Sequence, residues 1–132
     1  MSAPGELPDE VIRFITRNIE SLEQLELLLL LMHSPDRWWD AASVAHALGM
    51  SPEDARRTLD RFTSHNLLAI SITGDVRYQF QPGEPGLQRS MAAFAEACRS
   101  NRLAVLTLVT RRPRRSLRDF ADAFRIRSDD DR

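Results

Sequence analysis

The residue types most specific to catalysis and metal binding are rare in this 132-residue chain, which has three histidines and one cysteine. His33, His46 and His65 fall in separate predicted helices, without an HxxxH pair or a neighbouring carboxylate motif. The single Cys98 excludes an internal disulfide and any site built from several cysteines. The sequence also lacks a GxSxG nucleophile motif and a glycine-rich phosphate loop. These residues predict no enzyme, no metal site and no cofactor.

Arginine is the only source of permanent positive charge on the side chains, because all eighteen basic residues are arginine and none is lysine. Residues 1–98 contain 8 arginines against 14 acidic residues, a net charge of −6. Residues 99–127 contain 9 arginines against two aspartates, a net charge of +7. Such an asymmetry can mark a surface for a charged partner, or it can be a solvated basic helix end. The sequence leaves both interpretations open.

Length and composition indicate one globular domain, since 42% of the residues are apolar and the chain is long enough to bury a core. The first six residues lack the basic and apolar segments of a secretory leader. The apolar run at 27–32 is far shorter than the roughly 20 residues that cross a bilayer. We therefore expect a cytoplasmic protein without a transmembrane segment.

The clearest structural pattern lies between Trp39 and Phe80. A short apolar-faced helix follows Asp40, which is a suitable cap, and Gly49 breaks it. Ser51 and Pro52 then open a second helix. Two short strands with a tight turn between them complete the pattern. The predicted order is helix, helix, strand, turn and strand, over residues 41–48, 52–65, 67–72, 74–75 and 76–80.

Helices are predicted on both sides of this pattern. Apolar spacing predicts a helix over 8–19, and a capping box at 21–24 opens an apolar helix that ends at His33. Residues 37–40 read as extended, with Trp39 inward and Trp38 outward. Residues 87–110 predict one long, continuous helix that pairs two copies of the chain. The chain thus divides into an N-terminal helical extension (1–20), a central domain (21–81), a C-terminal helical region for dimerisation or partner binding (87–127) and a tail (128–132).

The central order of elements resembles a winged helix-turn-helix domain, with the multiple-antibiotic-resistance (MarR) regulator family as the nearest broad relatives. The resemblance covers about residues 21–81 and rests on architecture. It implies a mainly α-helical fold with a small β-hairpin wing. It also implies a bacterial transcriptional regulator that binds double-stranded DNA as a homodimer. The relatives usually carry a longer and more basic wing.

The resemblance implies that helix 52–65 is the recognition helix, whose N-terminal residues meet base edges and whose arginines meet phosphates or guanine. Its expected core side is Ala55, Leu59 and Phe62. The implied DNA contacts on the outward side and on the wing are Ser51, Arg56, Arg57, Arg61, Ser64 and Arg77. A second, basic contact is possible at Arg111, Arg112, Arg114 and Arg115.

A second class of function stays open at this point. Glu53, Asp54 and Asp60 balance the arginines of helix 52–65, so its attraction to phosphates is weak. The alternative is a winged-helix adaptor that binds a protein or a membrane surface instead of DNA. It would dock through Trp38 or through a final basic amphipathic helix. The apolar stripe of that helix is Leu117, Phe120 and Phe124.

Overall fold

The computed structural model describes residues 7–111 of the chain. Within this range the backbone forms six helices and one two-stranded antiparallel hairpin. The elements are α1 (Asp9–Asn18), α2 (Leu22–His33), α3 (Ala41–Leu48), α4 (Pro52–Ser64), β1 (Leu68–Ser71), β2 (Arg77–Phe80), α5 (Pro85–Ser100) and α6 (Arg102–Arg111). Several predicted contact residues lie outside the described residues, namely Arg112, Arg114, Arg115, Leu117, Phe120 and Phe124.

α2 lies at the centre of the core, in contact with α3, α6 and β2. Ser21 caps it as predicted, since its hydroxyl oxygen accepts the Gln24 backbone N–H at 3.2 Å. The Gln24 side chain departs from a standard capping box, because it accepts the backbone N–H of Glu20 instead of that of Ser21. Burial of each core leucine contributes roughly 1.5–3 kcal/mol. The leucines of α2 that are at most 2% exposed are Leu25, Leu27, Leu28 and Leu31.

The α3–α4 pair is a helix-turn-helix whose ends are fixed by local chemistry. Asp40 caps α3 by accepting the Ser43 backbone N–H at 2.7 Å. Gly49 ends α3 in the left-handed conformation at φ 70°, which glycine adopts without the steric cost of a Cβ. Ser51 caps α4 through the Asp54 backbone N–H at 3.1 Å, and Pro52 takes the first helical position. The predicted bounds of both helices are confirmed to within a residue.

The hairpin is antiparallel, and Leu68 pairs with Phe80 while Ile70 pairs with Tyr78. Trp39 adds a bridge on the other side of β2, through two backbone hydrogen bonds of 2.7 Å with Tyr78. The predicted orientations of the two tryptophans are confirmed: Trp39 is 5% exposed and Trp38 is 40% exposed.

α1 packs against α5, and the rings of Phe14 and Phe94 meet with centroids 4.8 Å apart. Two apolar side chains that follow the helical spacing of their helices lie outside the core. Ile12 of α1 and Leu22 of α2 are exposed, whereas Phe14 is buried. The helical spacing of apolar residues predicts α1 and α2 correctly. The buried side of each helix, however, depends on its contacts with elements that are distant in sequence.

The prediction of one long helix over 87–110 is wrong. α5 begins two residues earlier, at Pro85, and ends at Ser100, and α6 begins at Arg102. Asn101 separates them with φ −144° and ψ 50°, outside the helical region. Asparagine is a poor residue for a helix interior, because its side chain competes for backbone hydrogen bonds. The break lets α5 cover α1 while α6 covers α2.

Over residues 7–111, six helices and a two-stranded wing form a mainly α-helical, winged helix-turn-helix fold, as the sequence predicts.

Candidate nucleic-acid interface

α4 has one buried and one exposed side because its apolar residues recur at helical spacing. Ala55, Leu59 and Phe62 are fully buried and hold the helix against α3 and β1. These contacts fix the rotation of α4, so the opposite side must face solvent. The exposed residues of that side are Glu53, Arg56, Arg57, Asp60 and Ser64.

Arg56 is exposed and forms no ion pair with any residue between 7 and 111. It also lines a recess between α4 and the wing, together with Asp40, Asp75 and Tyr78. Its guanidinium group therefore has its hydrogen-bond donors available to a ligand.

Arg57 is also exposed, but it is paired. Its Nη1 lies 2.7 Å from Oδ1 of Asp54, three residues earlier on the same helix. The hydrogen bond from Arg57 holds the pKa of Asp54 below its usual value. Because the side chains are 73% and 50% exposed, water screens the pair and a phosphate can compete with Asp54 for the guanidinium.

The prediction that Arg61 faces outward with Arg56 and Arg57 is wrong. Its Nη2 lies 3.3 Å from Oε2 of Glu20, and it donates to the backbone oxygen of Arg17 at 3.2 Å. The Arg61 side chain is only 27% exposed. Arg61 therefore joins the C-terminal half of α4 to the corner between α1 and α2.

The same corner contains a histidine contact that the sequence did not reveal. Nδ1 of His65 lies 2.6 Å from Oδ1 of Asn18, a buried residue at the end of α1. Burial, then the charges of Arg61 and Arg17, lowers the pKa of His65 below its usual value of 6.5. The only available sequence signal was a polar Asn18 beside the apolar stripe of its helix.

The two predicted serine contacts both use their hydroxyl groups within the helix. The Ser51 oxygen accepts the N–H of Asp54, and the Ser51 hydroxyl also hydrogen-bonds the Asp54 carboxylate, whose pKa this bond lowers after the larger effect of Arg57. The Ser64 hydroxyl donates to the backbone oxygen of Arg61 at 2.7 Å. Both donors are therefore occupied, but Ser51 is exposed at the start of α4, where a phosphate can compete with Asp54 for its hydroxyl.

The wing presents Arg77 at the start of β2, where it is exposed. The backbone N–H of Ser43 lowers the pKa of Asp40 most, and the Arg77 charge adds to this lowering. Gly74 forms the turn at φ 86°, and Ile72 beside it is 72% exposed. The wing is thus short, with one cation balanced by the exposed Asp75 and with two exposed apolar residues, Ile70 and Ile72.

A second contact without a signal in the sequence joins Tyr78 to Asp60. The Tyr78 hydroxyl donates to Oδ1 of Asp60 at 2.6 Å, from β2 to the exposed side of α4. Burial, followed by the hydrogen bond to Asp60, raises the pKa of Tyr78 to about 12. The phenol is therefore a neutral donor at physiological pH.

A separate cavity of about 700 Å³ lies between α2 and α5. Arg37 and Trp39 both line this cavity, and the Arg37 guanidinium lies 3.7 Å from the centre of the Trp39 ring. Cys98 also lines the cavity, and burial raises the pKa of its thiol, as expected of a small apolar residue instead of a reactive one.

Within residues 7–111, no group of three or more histidine, cysteine or acidic side chains is arranged to hold a metal ion. None of the helices in this part of the chain combines the length and apolarity that a membrane span requires.

No protein-family model matches the sequence, and a comparison with curated proteins finds no relative. Solved structures are similar in fold. RV1404 from Mycobacterium tuberculosis has a TM-score of 0.51 and 18% identity, over 89% of this chain and 79% of its own. YusO from Bacillus subtilis has a TM-score of 0.51 and 14% identity, over 90% of this chain and 82% of its own. At these identities the similarity establishes a shared fold.

A third structure concerns Bordetella bronchiseptica BpsR and the regulation of its DNA binding by 6-hydroxynicotinic acid. It has a TM-score of 0.49 and 16% identity, over 90% of this chain and 85% of its own. A TM-score of this size supports no conclusion about the present chain.

Proposed function

We propose that this protein is a DNA-binding transcriptional regulator, with α4 as its recognition helix and the hairpin as its wing. The observation that supports this most is Arg56, an exposed arginine that has no ion-pair partner among residues 7–111 and lies on the outward side of a helix fixed by its buried side. An arginine in this position can donate two hydrogen bonds to a guanine or reach a phosphate.

The proposed contact set is centred on the first half of α4. Arg56 and Arg57 enter the major groove or meet its phosphates, and the Ser51 hydroxyl donates to a phosphate at the helix start. Arg77 reaches the neighbouring backbone from the wing. Arg111, exposed at the end of α6, belongs to the possible second basic contact.

The first experiment is fluorescence anisotropy of the full chain with a labelled random duplex, titrated with salt. Binding should weaken as salt increases, with a slope of about −0.9 per phosphate contact on a double logarithmic scale. Absence of binding at low salt would overturn the proposal.

A charge reversal locates the contact. Arg56→Glu with Arg57→Glu should abolish duplex binding while leaving thermal stability nearly unchanged, because both side chains are exposed. The matched control is Arg13→Glu with Arg89→Glu, which changes the net charge equally at exposed positions of α1 and α5. If both double variants bind equally weakly, net charge and not the α4 surface determines affinity.

We further propose a homodimer formed through α5 and α6. Leu103 of α6 is 76% exposed, while Val105 and Val109 on the same helix are buried. A second copy would cover the exposed side and place two recognition helices on successive turns of the major groove.

Sedimentation velocity tests the dimer directly. Leu103→Asp should shift the protein to the monomer, because a buried carboxylate is costly at an apolar interface. Ile72→Asp is the control, since Ile72 is 72% exposed but lies on the wing. A monomeric wild-type protein at micromolar concentration would rule out the dimer.

A second candidate function is a protein-binding adaptor with the same fold. Two observations favour it: Trp38 is 40% exposed, and three carboxylates balance the three arginines of α4. Trp38→Ala should then abolish partner binding without affecting duplex binding. Truncation after Thr110 separates the functions further, because binding of DNA by α4 should survive it and binding of a partner by the final segment should not.

A further inference from the structure

Tyr78 connects the wing to the recognition helix. Its side chain is 1% exposed, and its backbone is held by β1 on one side and by Trp39 on the other. From this fixed position its hydroxyl reaches Oδ1 of Asp60 at 2.6 Å. A short hydrogen bond from a neutral phenol to a carboxylate is among the stronger contacts available at a partly exposed site.

Asp60 has another possible partner on its own helix. Arg56 precedes it by four residues, and side chains at this spacing are neighbours on a helix surface. Arg56 is close enough for its charge to act on Tyr78. The two residues nevertheless form no ion pair, and the Asp60 carboxylate is bonded to Tyr78 instead.

The neighbouring carboxylate, Asp54, also has a hydroxyl partner, but that partner is Ser51 at the start of the same helix and not a residue of the wing. Arg57 has Asp54 within reach on α4, and the two form an ion pair of 2.7 Å. Two arginines of the same helix therefore differ in availability, and the difference follows from the bonding of the carboxylate beside each.

We propose that Tyr78 is a positioning residue that holds the Asp60 carboxylate against the wing and thereby keeps Arg56 free to bind DNA. The inference rests on the proposed function, because its consequence is measured as DNA affinity. Without the Tyr78 hydroxyl, the Asp60 carboxylate would form an ion pair with Arg56, and Arg56 would be less available to DNA.

The test is a removal and a rescue. Tyr78→Phe deletes the hydroxyl and keeps the ring, and we expect duplex binding to weaken about tenfold, the size of one lost arginine contact. Asp60→Asn in the same chain removes the charge that would capture Arg56, and it should restore most of the affinity. Urea unfolding of each variant shows whether the fold is retained.

The rescue distinguishes positioning from packing. If Tyr78 merely supports the fold, Asp60→Asn should raise affinity by the same factor in wild type and in Tyr78→Phe, through lost repulsion of phosphates alone, whereas positioning predicts a larger gain in Tyr78→Phe. Wild-type affinity in Tyr78→Phe, or failure of Asp60→Asn to rescue, would overturn the inference while leaving the proposed function intact.

A second measurement needs no DNA. Tyr78 is the only tyrosine of the chain, so absorbance near 295 nm reports its ionisation alone. Wild-type Tyr78 should ionise near its pKa of about 12, and Asp60→Asn should bring ionisation to lower pH. Ionisation of folded wild-type protein at the ordinary tyrosine value of about 10 would overturn the contact itself. If the wild-type protein does not bind duplex, both the proposed function and the proposed role of Arg56 are wrong. The titration still shows whether Tyr78 is hydrogen-bonded to Asp60.

Discussion

The two halves of α4 contain the same residue type in opposite surroundings. In the first half, Arg56 and Arg57 are exposed, and Arg57 has only an exposed partner in Asp54. In the second half, Arg61 is bonded to Glu20 and to the backbone of Arg17. One helix therefore offers arginine to a ligand at its start and uses arginine to join helices at its end.

This difference has a geometric cause. The corner between α1 and α2 lies beside the end of α4, and it brings a carboxylate and backbone oxygens within reach of Arg61. The start of α4 follows the turn after α3, where no further element of residues 7–111 covers its outward side. The role of each arginine is set by what lies next to it in space.

The largest expected effect is on stability, from removal of the Phe62 side chain that holds α4 in the core. Phe62 is fully buried, and Phe62→Ala should reduce the free energy of unfolding by about 3–5 kcal/mol through lost burial and a cavity. Urea unfolding measures this. Phe80→Ala, at a half-buried position of β2, is the matched control and should cost less. Equal costs would show that the buried side of α4 does not fix the helix.

An exchange of effects between Arg56 and Arg61 sharpens the comparison. Arg56→Ala should weaken duplex binding by about 1–3 kcal/mol and change stability by less than about 0.5 kcal/mol. Arg61→Ala should do the reverse: it should lower stability by about 1 kcal/mol, because a partly buried pair and a carbonyl contact are lost, and keep duplex affinity.

Fluorescence anisotropy measures the duplex affinity of both variants, and urea unfolding measures their stability. Loss of affinity in Arg61→Ala without loss of stability would mean that Arg61 leaves Glu20 and contacts DNA, as the sequence suggested.

The smallest expected effect is a dependence of the protein's stability on pH through His65, the residue that follows α4. The pKa of His65 is lower in the folded chain than its usual value of 6.5, so the folded state binds fewer protons than the unfolded state. Burial and the charges of Arg61 and Arg17 disfavour protonated His65, so stability is highest above about pH 6.5 and is lost as the pH falls below that value. Urea midpoints at pH 7.5 and 5.5 should differ more in wild type than in His65→Gln.

His46→Gln is the control, since His46 is exposed on α3. It should keep the wild-type dependence on pH. An unchanged dependence in His65→Gln would assign the effect to another group.

The elements of the central domain could be predicted because their signals are local. Ser51 and Pro52 mark the start of α4, and Gly49 marks the end of α3, within a few residues of sequence. The exposure of Arg56 and Arg57 follows from the helical spacing of the buried residues. Nothing distant along the chain is needed for these features.

The remaining features depend on residues that are distant in sequence. A helical wheel separates the core side of α4 from the outward side, but it does not show that Glu20 lies beside Arg61. The Tyr78–Asp60 contact joins a strand to a helix and has no sequence motif. The break at Asn101 was missed because apolar residues continue on both sides of it.

The contact of Phe14 with Phe94 has a consequence for the order of folding. It joins α1 to α5 and so closes a loop that contains α2, α3, α4 and both strands. Closing a long loop costs more chain entropy than forming a hairpin or a helix-turn-helix. We therefore expect residues 39–80 to become structured first, and the N-terminal helix to dock onto them late.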